Sequence, residues 1–170
     1  MTDDLDGRIG EAWSGVAPNG SHVNVVVARR GSPTAAAAAA ALASPRPGHV
    51  PFLATLETGV AVRPPTIVVN KATIDNERLA RMTWGAAQVG IAQGVLDAVA
   101  AGTLEAGEAA ELVLLVAVWV DPAASDEEAV RAANREATHA ALVDAVSPPS
   151  AEDVAALAGR REHPRNAYFG

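Results

Sequence analysis

The chain has 170 residues, of which 49% are hydrophobic and 19% charged, and its formal net charge is -7. This composition predicts one globular domain with a real core and excludes a disordered chain. The acidic charge opposes phosphate binding, so a nucleic-acid-binding function is disfavoured. With no cysteine, the chain lacks disulfides and thiolate metal ligands. The longest apolar run, residues 112–120, is too short to span a membrane, and no signal peptide is visible, so a cytoplasmic protein is expected.

Apolar periodicity and turn signals predict eight elements in the order β-β-α-β-β-α-β-α. The strands are expected at 8–16, 21–29, 50–57, 66–74 and 111–120. The helices are expected from 33 to about 44, at about 84–101 and from about 125 to 146. Ser125 and Glu128 are expected to form a capping box at the start of the last helix. Strand pairs separated by helices predict an α+β sandwich, a mostly antiparallel sheet with helices packed on one face. We expect one domain over residues 1–148 and a C-terminal extension over residues 149–170.

The strand at 66–74 runs from apolar residues into a polar end. Because alternate strand residues face the same way, Lys71 and Thr73 are expected to point to one side together. Lys71 is the only lysine, beside twelve arginines. A lysine offers a compact point charge whose pKa shifts on burial, and a nucleophile when it is neutral. Two interpretations remain open: a functional ammonium or amine, and one surviving lysine in an arginine-rich chain.

Three further polar residues, in two other predicted elements, are candidates for a site. His22 and Asn24 share one face of the strand at 21–29, where an imidazole can act as a general acid, although a purely structural role fits a lone strand histidine as well. Gln88 lies in the apolar stripe of the helix at 84–101, either buried with partners or at the edge of the stripe. The sequence lacks the residue spacings of a metal site, of a phosphate-binding glycine loop and of a serine-hydrolase elbow. Residue spacing alone therefore does not identify a reaction.

Eight short segments, spread in order over residues 10–146, resemble the formaldehyde-activating enzyme family of tetrahydromethanopterin-dependent hydro-lyases. The most specific of them is Asn70-Lys71-x-Thr73. The segments are Gly10-Glu11-Ala12, Ser21-His22-Val23-Asn24, Arg30-Gly31-Ser32-Pro33, Pro51-Phe52-Leu53-Ala54, Pro64-Pro65-Thr66, Val69-Asn70-Lys71-Ala72-Thr73-Ile74, Gly85-Ala86-Ala87-Gln88 and Glu136-Ala137-Thr138.

The resemblance implies a fold like that of ribosomal protein S5 domain 2. It implies a hydro-lyase that condenses formaldehyde with tetrahydromethanopterin, or a related reduced pterin, to the methylene derivative and water without a metal. It also implies a homopentamer with sites between neighbouring subunits. Carried over by position, His22 is the expected general acid. The expected pterin-site residues are Asn24, Leu53, Lys71, Thr73 and Gln88, with Lys71 in its charged form.

The chain departs from the family pattern at position 24, where the family has aspartate and this chain has Asn24. A carboxylate beside an imidazole favours the imidazolium, whereas an amide brings no charge. The stretch at 132–135, before Glu136, is changed as well. Two functions are therefore expected as alternatives: a divergent enzyme with weakened or altered activity, and a non-catalytic paralogue that binds formaldehyde or a pterin as a sensor or carrier.

Overall fold

Five strands form the main sheet in the computed structural model, which describes residues 4–165. Side by side they are β1 (Arg8–Ser14), β2 (Ser21–Arg29), β7 (Leu112–Val120), β6 (Thr66–Asn70) and β3 (Phe52–Leu53). The β6–β7 pair is parallel and the other neighbours are antiparallel. The predicted α+β class with a mostly antiparallel sheet is therefore confirmed, whereas the likeness to ribosomal protein S5 stays a prediction.

The helices are α1 (Pro33–Leu42), α2 (Glu77–Ala80), α3 (Gln88–Ala100), α4 (Glu127–Val146) and α5 (Ala151–Gly159). A π-helical segment, Arg81–Ala87, joins α2 to α3 without a break. The helix predicted to start near residue 84 thus begins two turns earlier, where the Asn76 side chain accepts a hydrogen bond from the Leu79 amide at 2.9 Å. The cap of α4 is Asp126 instead of the predicted Ser125.

The main core lies between the sheet and the α3–α4 pair. Val23, Val25 and Val27 of β2 are fully buried and belong to the same apolar cluster as Ile91 of α3 and Leu142 of α4. Odd-numbered β2 residues therefore define the inner face of the sheet. Even-numbered β2 residues, His22 and Asn24 among them, point to the opposite face, which we call the outer face.

The α3–α4 pair packs closely because glycines stand at the crossing. A Cβ at Gly90 would lie 2.2 Å from the Arg131 carbonyl oxygen, and one at Gly94 would lie 2.5 Å from the Arg135 carbonyl oxygen. These contacts are impossible for any larger residue without moving the α4 backbone. The surface that Gly90 and Gly94 face is therefore α4.

Helix α1 packs on the outer face. Ala28 of β2 and Ile67 of β6 point away from the main core, yet they are only 1% and 4% exposed, and α1 contacts both strands. Ala35 and Ala38 are the buried residues of α1, and none of these four residues belongs to the main cluster. The prediction that the helices pack on one face is therefore wrong. The small alanine side chains allow α1 to cover the second face closely.

The strand predicted at 50–57 is divided at Ala54. Its first part, β3, pairs with β6, and its second part, β4 (Thr55–Glu57), pairs with β5 (Val60–Ala61) in a separate two-stranded sheet. Ala54 links the two sheets, since its amide donates to the Thr66 carbonyl at 2.9 Å and its carbonyl accepts from the Val62 amide at 3.2 Å. This division leaves Leu53 on the main sheet and Thr55 on the smaller one.

The C-terminal helix α5 has no buried residue. The boundary predicted between residues 148 and 149 stays a prediction, and residues 166–170 of the predicted extension lie outside the described residues. Within residues 4–165, no helix has both the length and the apolar character needed to cross a membrane.

Candidate active site

Four polar side chains meet on the outer face of the sheet. Lys71 Nζ lies 2.9 Å from His22 Nδ1 and donates to Asn24 Oδ1 at 2.5 Å. On the other side of the imidazole, His22 Nε2 lies 2.9 Å from Glu11 Oε1. We call these four residues the His22 cluster. It unites His22, Asn24 and Lys71, three of the residues that the sequence analysis expected to share a site.

The strand register brings the four side chains together. Glu11 of β1 lies directly opposite Asn24, and His22 lies opposite Trp119 of β7. The Lys71 amide donates to the Val118 carbonyl at 2.7 Å. Lys71 therefore continues the line of β6 and lies beside β7. Because β7 separates β6 from β2, the Lys71 side chain has to cross β7 to reach the histidine. The four-carbon stem of lysine spans this distance.

Burial and the charge of Glu11 act on the pKa of Lys71 in opposite directions. Partial burial lowers the pKa of Lys71 below its usual value, and the Glu11 carboxylate raises it to a smaller extent. Asn24 accepts a hydrogen bond from the lysine but contributes no charge. Glu11 therefore supplies the carboxylate that the Asn24 position lacks, although it sits on the opposite side of the imidazole from Lys71.

The hydrogen-bond partners also fix where the protons lie. An amide oxygen only accepts, so Lys71 donates to Asn24. As an ammonium, Lys71 also donates to His22 Nδ1, which leaves the proton of a neutral imidazole on Nε2. That N–H donates to Glu11 Oε1. The Nε2 proton of His22 therefore faces Glu11, whose side chain is 67% exposed, while the Lys71 ammonium can supply a proton to Nδ1.

Glu11 was not selected as a site residue from the sequence. Glu11 lies within one of the segments that carry the family resemblance. Pairing the predicted strands at 8–16 and 21–29 across the turn at Pro18-Asn19-Gly20 would have identified it as a site residue. That pairing places Glu11 opposite Asn24. Cross-strand neighbours share a face, so the register alone was the missing signal.

Thr73 does not accompany Lys71 as predicted. Strand β6 ends at Asn70, so the alternation of side chains that places residues 71 and 73 together does not continue. The Thr73 hydroxyl instead lies 3.1 Å from His49 Nε2. Leu53 lies opposite Ile67 and thus on the outer face, where it is 41% exposed. Of these two predicted site residues, Leu53 shares a face with the His22 cluster and Thr73 belongs to a neighbouring group.

Gln88 lies at the start of α3, half-buried beside a cavity of about 240 Å³ that Val50, Phe52 and Trp84 also line. Its amide oxygen accepts from the Thr55 amide at 3.2 Å and from Thr55 Oγ1 at 2.6 Å, and its amide nitrogen donates to the Trp84 carbonyl at 2.7 Å. Gln88 therefore lies between the two alternatives, since it is only half-buried and yet has hydrogen-bond partners.

Within one chain the sheet lies between Gln88 and the His22 cluster. Gln88 begins the helix that covers the inner face, whereas His22 and Asn24 point from the outer face. The structure therefore brings His22, Asn24 and Lys71 together and leaves Gln88 apart from them. Across residues 4–165, no three histidine or carboxylate side chains converge to hold a metal ion.

An α+β protein in which an imidazole, an ammonium and a carboxylate meet on one sheet face is equipped for proton transfer to a polar substrate. Residues 9–166 match the family model described as formaldehyde-activating enzyme (Fae). The chain therefore belongs to the formaldehyde-activating enzyme family. The expected family is confirmed.

Relatives of two kinds are similar to the chain. A 5,6,7,8-tetrahydromethanopterin hydro-lyase from Methanosarcina barkeri is 37% identical over 161 residues, which cover 94% of this chain and 90% of the relative. Bifunctional enzymes named Fae/Hps from Methanothrix thermoacetophila and Archaeoglobus fulgidus are each 32% identical over 94% of this chain. The chain spans 41% of the length of these two bifunctional proteins. The expected enzyme class, a hydro-lyase, is confirmed by the first relative.

Proposed function

We propose that the chain condenses formaldehyde with tetrahydromethanopterin, giving the methylene derivative and water, with His22 as the general acid. The observation that carries the proposal is the His22 cluster, in which the imidazole is held at both ring nitrogens within 2.9 Å. Membership of the formaldehyde-activating enzyme family and the 37% identity to a hydro-lyase of that name support the same reaction.

The reaction needs an acid at one step. A secondary amine of the reduced pterin adds to formaldehyde and gives a hydroxymethyl amine, whose hydroxide is a poor leaving group. Proton transfer from His22 Nε2 to that oxygen allows water to leave, while the Lys71 ammonium passes a proton to Nδ1 so that the imidazole stays neutral. The second amine nitrogen then closes the methylene bridge, and the proton it releases restores the Lys71 ammonium. General acid catalysis of this kind contributes about 10²–10⁴-fold to the rate.

The remaining residues are assigned to the pterin half of the site. Leu53 provides an apolar contact on the outer face, and Lys71 holds a polar group of the pterin as an ammonium. Thr73 and Gln88 offer hydrogen bonds to polar edges of the pterin ring. Lys71 is assigned the charged form because a free amine would itself react with formaldehyde.

The site is assigned to a boundary between two copies of the chain in a homopentamer. Support comes from the separation of Gln88 from the His22 cluster by the sheet, since one chain alone then holds two half-sites. The cavity beside Gln88 and Trp84 is open and apolar, as a half-site completed by a neighbour would be. In this arrangement, the outer face of one copy supplies the acid and the α3 end of the next copy supplies Gln88.

The test is a stopped-flow assay of formaldehyde with tetrahydromethanopterin, and separately with tetrahydrofolate. We expect the wild type to accelerate condensation over the spontaneous rate with tetrahydromethanopterin. His22→Ala is expected to lose about 10²–10⁴-fold of that acceleration. His163→Ala, which changes an exposed histidine beyond α5, is the matched control and should retain it.

Absence of acceleration by the wild type with either carrier would overturn the proposal. The alternative is then a paralogue that binds formaldehyde or a pterin as a sensor or carrier, and the feature that favours it is Asn24. Direct titration of the protein with the reduced pterin separates that alternative from a chain that binds neither molecule.

A further inference from the structure

His49, outside the His22 cluster, is bonded through both ring nitrogens. Its Nδ1 lies 2.9 Å from the carbonyl oxygen of Asn70, and its Nε2 lies 3.1 Å from Thr73 Oγ1. The histidine thereby connects the end of β6 to the residue that the proposed function assigns to pterin binding. It is half-buried in the loop that precedes β3.

The two contacts determine the direction of each hydrogen bond. A backbone carbonyl only accepts, so His49 Nδ1 carries a proton and donates to Asn70. In the neutral ring Nε2 is then an acceptor, and the Thr73 hydroxyl has to donate its proton to it. The lone pairs of Thr73 Oγ1 are left for other partners. Thr73 therefore presents an acceptor, and not a donor, to a bound molecule.

The backbone around this pair is tied down by Asn70, which is 7% exposed. Its side-chain amide uses both hydrogens, one on the Gly48 carbonyl and one on the Ala72 carbonyl, each at 2.7 Å. The Ile74 amide also donates to the Gly48 carbonyl at 3.0 Å. The loop that carries His49 and the turn that carries Thr73 are thus held to the same side chain.

The methyl group of Thr73 is held as well. Gly48 has a φ of +73°, and a Cβ built on it would lie 2.5 Å from Thr73 Cγ2, so the glycine backbone packs directly against that methyl group. With its methyl group against Gly48 and its hydroxyl on His49, Thr73 is confined to one rotamer.

We propose that His49 is a positioning residue that fixes the Thr73 hydroxyl as a hydrogen-bond acceptor and so selects a co-substrate with an N–H donor at that point. The inference rests on the proposed function, because it concerns the pterin half of that site. It adds to that function a residue and a chemical requirement: the ligand has to bring a hydrogen where it meets Thr73.

The test is a double-mutant cycle between His49→Asn and Thr73→Val. Asparagine retains a donor for the Asn70 carbonyl but does not reach Thr73, and valine keeps the shape of threonine without its hydroxyl. Each variant is expected to raise the KM for tetrahydromethanopterin about tenfold, with little change in kcat or in the KM for formaldehyde. The double variant should be no weaker than either single variant, because both remove the same hydrogen bond. Thr73→Ser keeps the hydroxyl group but loses the methyl group that packs on Gly48, so its KM should lie between those of the wild type and of Thr73→Val.

Thr58→Val, an exposed threonine between β4 and β5, is the matched control. The Kd for the reduced pterin, titrated without formaldehyde, is measured for every variant, and thermal unfolding checks that His49→Asn retains the fold. Additive effects in the cycle, or an unchanged Kd in His49→Asn, would overturn the inference. If the wild type binds the pterin without turnover, the proposed reaction is overturned. The double-mutant cycle measured with Kd then still tests the role of His49. A wild type that does not bind the pterin would overturn both.

Discussion

His22 has a neighbour at each ring nitrogen, and the two neighbours are held very differently. Lys71 is anchored by Asn24 as well as by the imidazole, and its stem crosses β7. Glu11 lies on the edge strand β1 with a side chain that is 67% exposed. We therefore expect the substrate hydroxyl to displace Glu11 from Nε2 while Lys71 keeps the ring oriented through Nδ1.

Asn24→Asp is expected to raise kcat/KM by about tenfold or more. A carboxylate at this position pairs with the Lys71 ammonium, strengthens the anchor of the imidazole and raises the pKa of Lys71, which burial lowers in the wild type. The ammonium then persists to higher pH, so the alkaline limb of the pH–rate profile should move upward. The measurement is kcat/KM against pH, with Asn19→Asp in the turn before β2 as a control of equal charge.

An unmoved alkaline limb in Asn24→Asp would contradict the role given to Lys71. Turnover that appears in Asn24→Asp from an inactive wild type would instead support the sensor or carrier alternative for the natural chain.

Glu11→Gln is expected to act in the opposite direction. The Glu11 charge raises the pKa of Lys71, so its removal lowers that pKa further. The ammonium is then lost at a lower pH than in the wild type, and the alkaline limb of kcat/KM should move downward. Glu105→Gln, in the exposed loop after α3, is the matched control. A profile that stays in place would show that Glu11 does not reach the lysine electrostatically.

Part of the site follows from the sequence by strand alternation alone. His22 and Asn24 share a face because they are two residues apart within a strand, and that prediction holds. Lys71 and Thr73 have the same spacing, but β6 ends at Asn70, and where a strand ends depends on its partners in the sheet. Glu11 was missed for a related reason, since its proximity to His22 depends on the register between two strands.

At the level of elements, helices α3 and α4 pack closely because glycines stand at their crossing. Gly90→Ala is expected to lower the free energy of unfolding by about 1–3 kcal/mol, because the added methyl group meets the Arg131 carbonyl oxygen at 2.2 Å and the backbone of α4 has to move. Denaturant-induced unfolding measures the change. Gly85→Ala is the matched control in the preceding π-helical segment, where an added Cβ has no neighbour within 4 Å.

Equal stabilities of Gly90→Ala and Gly85→Ala would show that the two helices are not in contact at this point. Helix propensity alone would make both substitutions stabilising, since alanine is favoured over glycine within a helix. The sign of the difference therefore reports on packing and not on local preference.

The elements themselves were largely predictable because periodicity and capping act locally. Strand β2 and helix α1 begin and end close to the residues expected, and Ser32 caps α1 by accepting a hydrogen bond from the Ala35 amide. The division at Ala54 and the placement of α1 on the outer face were not predictable in this way. Both depend on which strands lie beside a segment, and that information is not local.

For the whole molecule, the separation of Gln88 from His22 gives a direct test of a shared site. His22→Ala and Gln88→Ala are unfolded together and refolded as a mixture. If neighbouring copies contribute the two halves, random assembly gives roughly a quarter of the sites both intact residues, and activity should return to about that fraction of the wild type. The separately refolded variants provide the baseline.

A mixture that stays at the baseline would contradict a site shared between chains. The number of subunits is measured in the same samples by sedimentation, so that failure to assemble is distinguished from failure to complement.

Formaldehyde is an electrophile that forms adducts with thiols and neutral primary amines, and the chain carries no cysteine and a single lysine. The amino group of that lysine is engaged by His22 and Asn24. Every other fixed positive charge is a guanidinium, which stays protonated and is a poor nucleophile. We therefore expect the protein to form fewer formaldehyde adducts and crosslinks than a lysine-rich protein of the same size.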